Sequence, residues 1–593
     1  MKASPSMDEQ SNTKTGRFPH LKNDIQKALG TFSPIERVLF SIVVIVCITT
    51  VFSLLFKIND HFLVSVPAEG GTLSEGIVGT PRFINPVLAI TDVDHDITSL
   101  VFRGLMKKDL DGAIIPDLAE SYTVSDDGLV YTFTLKDASW DDGEKITADD
   151  VIFTIKSALD PMLKSPERVK WSGVLVQAPD EKTVTFTLKH AYAPFLENAM
   201  LGIIPKHIWS KIPYESWSYS DYNTKNVVGN GYYKMSSISE NSNGIPNYYT
   251  LKNAKPKDTN PALIDSITIH FFANEEELIA AFKNKTIDTM GGIDPLNAQS
   301  LEKTGAQILQ APLPRIFGLF FNQSQAKIFT SAKVRQAITM AINKDSIVKN
   351  VLFGYGAVGD GPIPNSSKIQ SDAVGTKTTV STPEQIKSIL EKDGWKMGSD
   401  GIYQKVGAKK VVTRLSFEIA TNDTPELTKA VNAIVTDLRA VGIEAIAKVY
   451  ETGSLNQDII RPRKFQSLFF GEIIENQSFI YAFWHSSQRN DPGLNISLYA
   501  NSRVDALLET GLSTLDKDKQ NQTYKSLEKE IVADMPAVFV YSPSYIYVTR
   551  EDFDGITLPH IDTPHDRFEN ISTWYLATDR VWKLFAQQKV ENR

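Results

Sequence analysis

Three alternating aspartates near the start of the chain form the pattern most suggestive of chemistry. Asp92, Asp94 and Asp96 are spaced like the first ligands of a calcium-binding loop. Such a loop also needs a glycine at its sixth position and a glutamate at its twelfth, where this sequence has Ile97 and Arg103. We therefore interpret this stretch as solvated or helix-capping, and we predict no metal site and no cofactor.

Motifs that carry catalytic chemistry are missing from the sequence. It contains no G-x-S-x-G, H-E-x-x-H, phosphate-loop or dinucleotide-binding pattern, and its nine histidines are scattered. The other acidic pairs, Asp126-Asp127 and Asp141-Asp142, are each followed by glycine, which favours turns between strands. A triad assembled from distant residues stays an alternative, but the sequence predicts a protein that is not an enzyme.

Composition narrows the class of protein further. At 593 residues the chain exceeds the size of a single hydrophobic core, so more than one lobe is expected. The 62 basic and 70 acidic residues give a formal net charge of -8 without long runs of either sign, so nucleic acid is not a predicted partner. The single cysteine, Cys47, excludes a disulfide within one chain.

One uncharged apolar segment predicts a membrane anchor. Residues 38–56 read VLFSIVVIVCITTVFSLLF, and a helix of this length spans roughly 28 Å, enough to cross a bilayer. Six Lys or Arg residues precede it and none lies between Lys57 and Arg82, which places the N-terminus in the cytoplasm. A cleaved signal peptide is the alternative, but no small-residue cleavage site follows closely. We expect a cytoplasmic tail over 1–37, a retained transmembrane helix over 38–56 and a linker over 57–69.

Local patterns in the outer domain predict both helices and strands. Helices are expected to begin after Thr382 and after Thr424, each of which places a capping hydroxyl before a proline. The second helix is followed by a predicted strand at 443–449. Alternating aromatic and threonine residues predict further strands at 129–136 and 183–189. The mixture indicates α/β layers.

An ordered series of motifs links the chain to a known family. Residues 115–122 read IPDLAESY, and they are followed by SDDG at 125–128, YTFTLK at 131–136, WDDG at 140–143 and ITADDV at 146–151. The series resembles the signature of the bacterial extracellular solute-binding proteins of family 5, the peptide, oligopeptide and nickel receptors of ABC importers. Further matches in the family's order are Asn85-Pro86, FRGL at 102–105, VGNGYY at 228–233, VRQAI at 334–338 and VDALL at 504–508.

The resemblance implies an α/β fold of the periplasmic-binding-protein type, class II (type C), with three lobes and a hinge after the N-terminal transmembrane helix. Lobe I is expected at 70–110, 228–313 and 545–593, lobe II at 111–227 and lobe III at 314–544. Ligand would be captured between the lobes as the hinge closes.

The resemblance also indicates where ligand would bind. In family members an acidic residue of lobe III, in a segment reading roughly G-W-x-x-D, pairs with the amino terminus of the peptide. Residues 470–478 read FGEIIENQS, which lacks the Trp and the Asp, and Glu475 is the best positional match. The other predicted ligand-contacting residues, chosen by position, are Asn476, Thr91, Asp92, Asp94, Tyr232, Trp484 and His485.

These observations predict an importer receptor that captures peptides and delivers them to ABC permease subunits. It would be a single-pass protein of the cell membrane, held in the lipid bilayer by residues 38–56, with its large domain periplasmic or on the cell surface. The altered acidic segment keeps another solute, such as a nickel chelate or an oligosaccharide, as an alternative. A surface sensor or binding protein that feeds no permease is a further alternative.

Overall fold

The computed structural model of the chain divides into two compact units. It describes residues 31–364, 382–407, 410–550, 553 and 555–583. One unit comprises residues 1–66 and 578–593, and the other comprises residues 67–577.

The smaller unit is built on one long apolar helix, α1 (Pro34–Phe62), which begins with a capping box at Ser33. It is long and apolar enough to cross a membrane, with a mean hydropathy of 2.8 over its most apolar window. At 29 residues it is longer than the nineteen-residue apolar run, because it also includes residues 34–37 before the run and residues 57–62 after it. Strand β1 (Leu63–Ala68) follows and pairs with β23 (Ala577–Trp582), so the predicted linker contains regular structure.

Two side chains of β23 contact the end of α1. The indole Nε1 of Trp582 donates to Asn59 Oδ1 at 3.0 Å, and the Trp582 ring stacks on Phe62 with a centroid distance of 6.0 Å. Arg580 and Asp60 form an ion pair at 2.8 Å. The segment after the apolar helix is therefore held by the far end of the chain.

The larger unit confirms the predicted α/β character. Its helices are α2 (Asp92–Val101), α3 (Ala148–Leu159), α4 (Arg168–Trp171), α5 (Phe195–Asn198), α6 (Lys206–Trp209), α7 (Glu275–Lys283), α8 (Pro295–Glu302), α9 (Ala332–Ala341), α10 (Lys344–Asn350), α11 (Pro383–Lys392), α12 (Pro425–Ala440), α13 (Thr452–Ser454), α14 (Gln477–Trp484), α15 (Ser502–Ser513) and α16 (Lys517–Asp534). Short 3-10 helices occur at Tyr214–Tyr219, Asp221–Asn223, Lys327–Thr330, Ser486–Gln488, Pro564–Phe568 and Ile571–Thr573, and a π-helix spans Leu455–Ile460.

The strands of the larger unit are β2 (Thr72–Val78), β3 (Met106–Lys108), β4 (Ile114–Pro116), β5 (Ala119–Val124), β6 (Val130–Leu135), β7 (Leu175–Gln177), β8 (Thr183–Thr187), β9 (Tyr233–Glu240), β10 (Pro246–Asn253), β11 (Ser266–Phe272), β12 (Thr289–Gly291), β13 (Gln307–Pro312), β14 (Arg315–Phe321), β15 (Gly356–Val358), β16 (Lys396–Met397), β17 (Tyr403–Val406), β18 (Val412–Arg414), β19 (Ser416–Asn422), β20 (Glu444–Tyr450), β21 (Ser467–Ile473) and β22 (Ala537–Thr549). Small sheets are formed by β3-β4, by β16-β17-β18 and by β5-β6-β8-β7.

A twelve-stranded sheet joins the two principal halves of this unit. Its order is β20-β19-β21-β14-β22-β12-β2-β11-β10-β9, with β13 and β15 also paired to β22. The first part of β22 pairs with β14 as far as Tyr541, and its last part pairs with β13 from Ser544 onward. The expected boundaries between lobes I and III, at 313/314 and 544/545, lie at this change of partner. The division into three lobes stays a prediction.

The hydrophobic cores separate at the same place. The largest core draws its buried residues from 73–313 and 545–574, whereas two other cores lie wholly within 316–541. A fourth, smaller core packs α7 and α8 against the last part of β22. Each side of the strand crossing therefore has its own buried apolar interior.

Local predictions for several elements are confirmed. Predicted strands at 129–136 and 183–189 are β6 and β8, which pair antiparallel. Gly128 adopts a φ of +69° in the turn that precedes β6, and the Asp127 carboxylate accepts the N–H of Leu129 at 3.1 Å. This acidic pair therefore closes a hairpin, because Asp and Gly suit such turns.

The two predicted proline-started helices are also confirmed. Thr382 forms a capping box with Gln385 at the start of α11. Helix α12 buries the predicted apolar stripe, and the strand that follows it is β20.

A buried arginine fastens the C-terminal part of the unit to the large sheet. Arg567 is 2% exposed and donates from Nη1 and Nη2 to the two oxygens of Asp96 at 2.5 and 2.9 Å. Its Nε donates to Glu75 Oε1 at 3.1 Å, and the other oxygen of Glu75 accepts from Thr289 Oγ1 and, at 2.6 Å, from the Tyr547 hydroxyl. The guanidinium thereby joins the 3-10 helix at Pro564–Phe568 to α2 and β2.

Removing this guanidinium should destabilise the larger unit. Arg567→Met leaves Glu75 and Asp96 buried without a countercharge, which costs about 3–5 kcal/mol in free energy of unfolding. Arg503→Met is the matched control, because Arg503 is 71% exposed in its ion pair with Glu530 and such pairs contribute less than about 1 kcal/mol. Urea unfolding followed by circular dichroism measures both variants, and equal midpoints would contradict the prediction.

Candidate ligand-binding site

A cavity of about 290 Å³ lies within the larger unit. Its lining comes from the end of α2 and the strands after it, from residues 167–202, from the loop between β21 and α14, and from residues 562–569. This volume is at the lower end of the roughly 300–1,000 Å³ of small-molecule pockets. Residues 475, 476 and 479, which belong to the expected lobe III, form the second wall of the cavity. The other lining residues, from 86–232 and 562–569, form the first wall, on the side of the largest core.

A glycine-rich crossover positions the first wall. A Cβ atom at Gly229 would lie 2.2 Å from the carbonyl oxygen of Val101, so no larger residue fits against the end of α2. Asn230 Oδ1 accepts the backbone N–H of Arg103 at 2.8 Å. These contacts hold Arg103 and Tyr232 beside one another, with the guanidinium carbon 5.7 Å from the ring centroid.

Two cations of this wall are matched by acids. Arg103 pairs with Asp117 and with Asp258, each at 2.8 Å. Lys107 donates to the Tyr232 hydroxyl at 2.9 Å and lies 4.0 Å from Asp117. Although burial opposes it, the negative charge of Asp117 raises the pKa of Lys107. Both side chains therefore stay positively charged.

A third cation, Lys108, links this wall to the C-terminal segment. Its Nζ lies 2.7 Å from Asp562 and 3.0 Å from Asp566. The Asp566 carboxylate also accepts the backbone N–H groups of Asp562 and Thr563, at 2.8 and 3.0 Å. Despite burial, Lys108 lowers the pKa of Asp566. This cluster of paired charges is therefore a fixed part of the first wall.

The second wall is the loop between β21 and α14. Asn476 is the N-cap of α14, where its Oδ1 accepts the N–H of Ser478 at 3.0 Å. Its Nδ2 donates to Glu197 Oε2 at 2.8 Å, and the hydroxyls of Tyr192 and Ser478 are 2.7 Å apart. The two walls are therefore in direct polar contact beside Glu475.

Two lining carboxylates, Glu475 and Glu569, make no hydrogen bond or ion pair with any described residue. Burial, followed by the charge of Asp562, raises the pKa of Glu475. Burial and the neighbouring Asp566 raise the pKa of Glu569 to about 7, against the opposing effect of Lys108. Both groups lack a countercharge of their own, one on each wall.

Three of the predicted site residues, Glu475, Asn476 and Tyr232, line the cavity. Thr91, Asp92 and Asp94 lie in the first turn of α2, away from it. The Asp94 carboxylate accepts four backbone N–H groups, those of Arg82, Phe83, Ile90 and Thr91, between 2.7 and 3.2 Å. That carboxylate therefore organises the preceding loop, and Asp92 is exposed.

The remaining two predicted residues, Trp484 and His485, lie at the far end of α14, about 12 Å along the helix from the cavity loop. Trp484 is fully buried in the core, where its ring packs near Phe320 and Phe539. His485 stacks on Tyr481 with a centroid distance of 4.2 Å. Neither residue lines the cavity. A role in ligand binding stays a prediction for all eight residues.

Sequence reasoning missed the C-terminal contribution to the cavity. Asp562, Asp566 and Glu569 follow one another at intervals of four and three residues, a spacing that would place all three on one face of an α-helix. Thr563-Pro564 gave a helix-start signal in the same stretch. His565 from this segment stacks on His95 of α2, with a ring-centroid distance of 5.2 Å.

Among the residues that the structure describes, no group of three or more His, Cys, Asp or Glu side chains is arranged to hold a metal ion.

Comparisons with known proteins identify the architecture. The oligopeptide-binding protein AppA of Bacillus subtilis (strain 168) is 26% identical over 519 residues, which are 86% of this chain and 92% of AppA. The structure of AppA from Bacillus subtilis with a nonapeptide matches with a TM-score of 0.63 and 25% identity, over 86% of this chain and 100% of that one.

Two further structures extend the comparison. NikZ of Campylobacter jejuni in complex with Ni(L-His) matches with a TM-score of 0.65 and 27% identity, over 85% of this chain and 99% of its own. The ABC transporter substrate-binding protein CtaP of Listeria monocytogenes matches with a TM-score of 0.71 and 25% identity, over 86% of this chain and 99% of CtaP. The predicted periplasmic-binding-protein fold is thus confirmed.

The match to a protein family covers most of the chain. Residues 113–491 match the family described as bacterial extracellular solute-binding proteins, family 5 Middle. This range includes the lobe III loop with Glu475, and it agrees with the family resemblance of the signature motifs. The chain therefore belongs to the family 5 extracellular solute-binding proteins, and its role is to bind a substrate.

Proposed function

We propose that the chain is the membrane-anchored receptor of an ABC importer, and that it captures peptides in the cavity between its two walls. The observation that carries this proposal is the carboxylate of Glu475, which lines the cavity without a partner among the described residues. The amino terminus of a bound peptide would supply the missing positive charge. The peptide-binding relative AppA supports the same class of ligand.

Capture would proceed by hinge closure. The expected lobe boundaries at 313/314 and 544/545 fall where β22 changes its strand partners, and we propose that the two walls rotate about this crossing. Ligand contacts available only when both walls meet would shift the population toward the closed state. The hydrogen bond that Asn476 donates to Glu197 joins the two walls within the protein, and it would add to the stability of that closed state. A permease would then recognise the closed receptor.

The N-terminal helix would act as a retained membrane anchor. The positive residues before the apolar run favour a cytoplasmic N-terminus and a large domain outside the membrane. Polar contacts of Asn59 and Asp60 with β23 give the outer end of α1 a structural role. Such a receptor needs no catalytic group, and we propose that the chain is not an enzyme.

A metal chelate is the second candidate ligand. NikZ was solved with Ni(L-His), and in this chain His95 and His565 lie stacked in the cavity lining. Imidazole is a common ligand of divalent nickel. A chelate would bring most of its own ligands, so two histidines could complete its coordination.

Native mass spectrometry of the full chain, purified gently in detergent, tests the ligand class. We expect a bound mass that fragments as a short peptide, because closed walls with direct polar contacts release ligand slowly. A bound mass with the isotope pattern of nickel would favour the chelate. A mass of the bare chain after such preparation would count against peptide capture.

Glu475→Gln should weaken the binding of a peptide with a free amino terminus by about tenfold or more, because a charge-assisted hydrogen bond is lost. Isothermal titration would compare Ala-Ala-Ala with its N-acetylated form, which cannot use the carboxylate in this way. Glu276→Gln is the control, because it removes an exposed carboxylate in α7 outside the cavity. An equal loss for both peptides in Glu475→Gln would exclude Glu475 from binding the amine.

A further inference from the structure

The charged groups that line the cavity are unequal in number. Four cationic side chains line it, namely Arg103, Lys107, Lys108 and Lys170. Seven carboxylates line it, namely Asp117, Glu167, Glu197, Glu475, Asp562, Asp566 and Glu569. Since buried charges of one sign are costly without partners, the excess of acids indicates a ligand that brings positive charge.

Every cation in the lining already has an acidic neighbour. Arg103, Lys107 and Lys108 are matched by the aspartates described above. Lys170 pairs with Glu167 at 3.1 Å. None of these four cations is left over to neutralise Glu475 or Glu569.

The two unmatched carboxylates occupy different positions. Glu475 belongs to the lobe III loop and feels the charges of Asp562 and Lys170. Glu569 belongs to the C-terminal segment and feels those of Asp117 and Lys107. The two carboxylates therefore belong to different elements, and each is available to a positive group of a ligand.

We infer that the cavity selects short peptides with a second positive charge, the amino terminus binding at Glu475 and a Lys or Arg side chain near it binding at Glu569. This inference rests on the proposed capture of peptides. It assigns Glu569, on the first wall, as a second ligand-binding carboxylate, in addition to Glu475 on the second wall. The small volume of the cavity favours a ligand whose two charges lie close together.

The assignment gives the selectivity a defined pH dependence. The charged groups that act on Glu569 are Asp566, Lys108, Asp117 and Lys107, and burial is the largest cause of its raised pKa of about 7. Below that pH the carboxyl is protonated and offers no charge to a basic side chain. Preference for a basic peptide should therefore be greatest well above this pKa and should decline as the pH falls through it.

Isothermal titration of the full chain in detergent at pH 8 tests the inference. The probes are Lys-Ala-Ala and norleucine-Ala-Ala, which share the amino terminus and the stem length and differ in the side-chain charge. We expect Lys-Ala-Ala to bind at least tenfold more tightly to the unaltered protein. Glu569→Gln should reduce this preference to less than threefold and leave norleucine-Ala-Ala within threefold of its original affinity. Glu276→Gln should keep the preference.

The same titration at pH 5.5 needs no variant, and the preference of the unaltered protein should fall at least threefold there. Equal affinity for the two peptides at pH 8, or a preference that survives Glu569→Gln, would overturn the inference and leave peptide capture intact. Tight binding of 1,5-diaminopentane without binding of either peptide would overturn it in favour of a diamine. Failure of all three probes to bind, together with a bare mass in native spectrometry, would remove the proposed function as well.

Discussion

The guanidinium of Arg567 is surrounded by two carboxylates that belong to segments far apart in the sequence. Asp96 lies on α2 and Glu75 on β2, and without this cation both would be buried with no countercharge. The same 3-10 helix carries Asp566, and Glu569 follows directly after it, so both reach the cavity from this support. The position of this part of the first wall thus depends on the ion pairs of Arg567, although Arg567 itself does not line the cavity.

The cavity is lined by charged groups that are paired within the protein and by two carboxylates that have no partner among the described residues. The pairs around Lys108 and Arg103 are satisfied within the protein, and they give the first wall a rigid polar surface. Glu475 and Glu569 are held in the same surroundings without such partners. A ligand that supplies the missing positive charge binds such a site more tightly, because the free-energy cost of desolvating the carboxylates has already been met during folding.

Local sequence signals predicted much of the fold because they depend on near neighbours. The hairpin turn at Gly128 and the capped start of α11 need only a few adjacent residues. The placement of Glu475 came from a family motif and agrees with a cavity-lining position. Glu569 gave no comparable signal, since its importance arises from burial and from neighbours in other segments. The burial of Trp484 in the core was equally hard to foresee, because the direction of α14 decides which end of that helix reaches the cavity.

The pairing of β1 with β23 joins the two ends of the described chain into one small sheet. None of the residues of β23 lines the cavity, so a protein shortened before residue 577 would lose this strand and keep every cavity residue. The backbone N–H and C=O groups of β1 would then be left without their strand partner and could pair with another copy. Strand β23 thereby covers the edge of β1 next to the apolar helix.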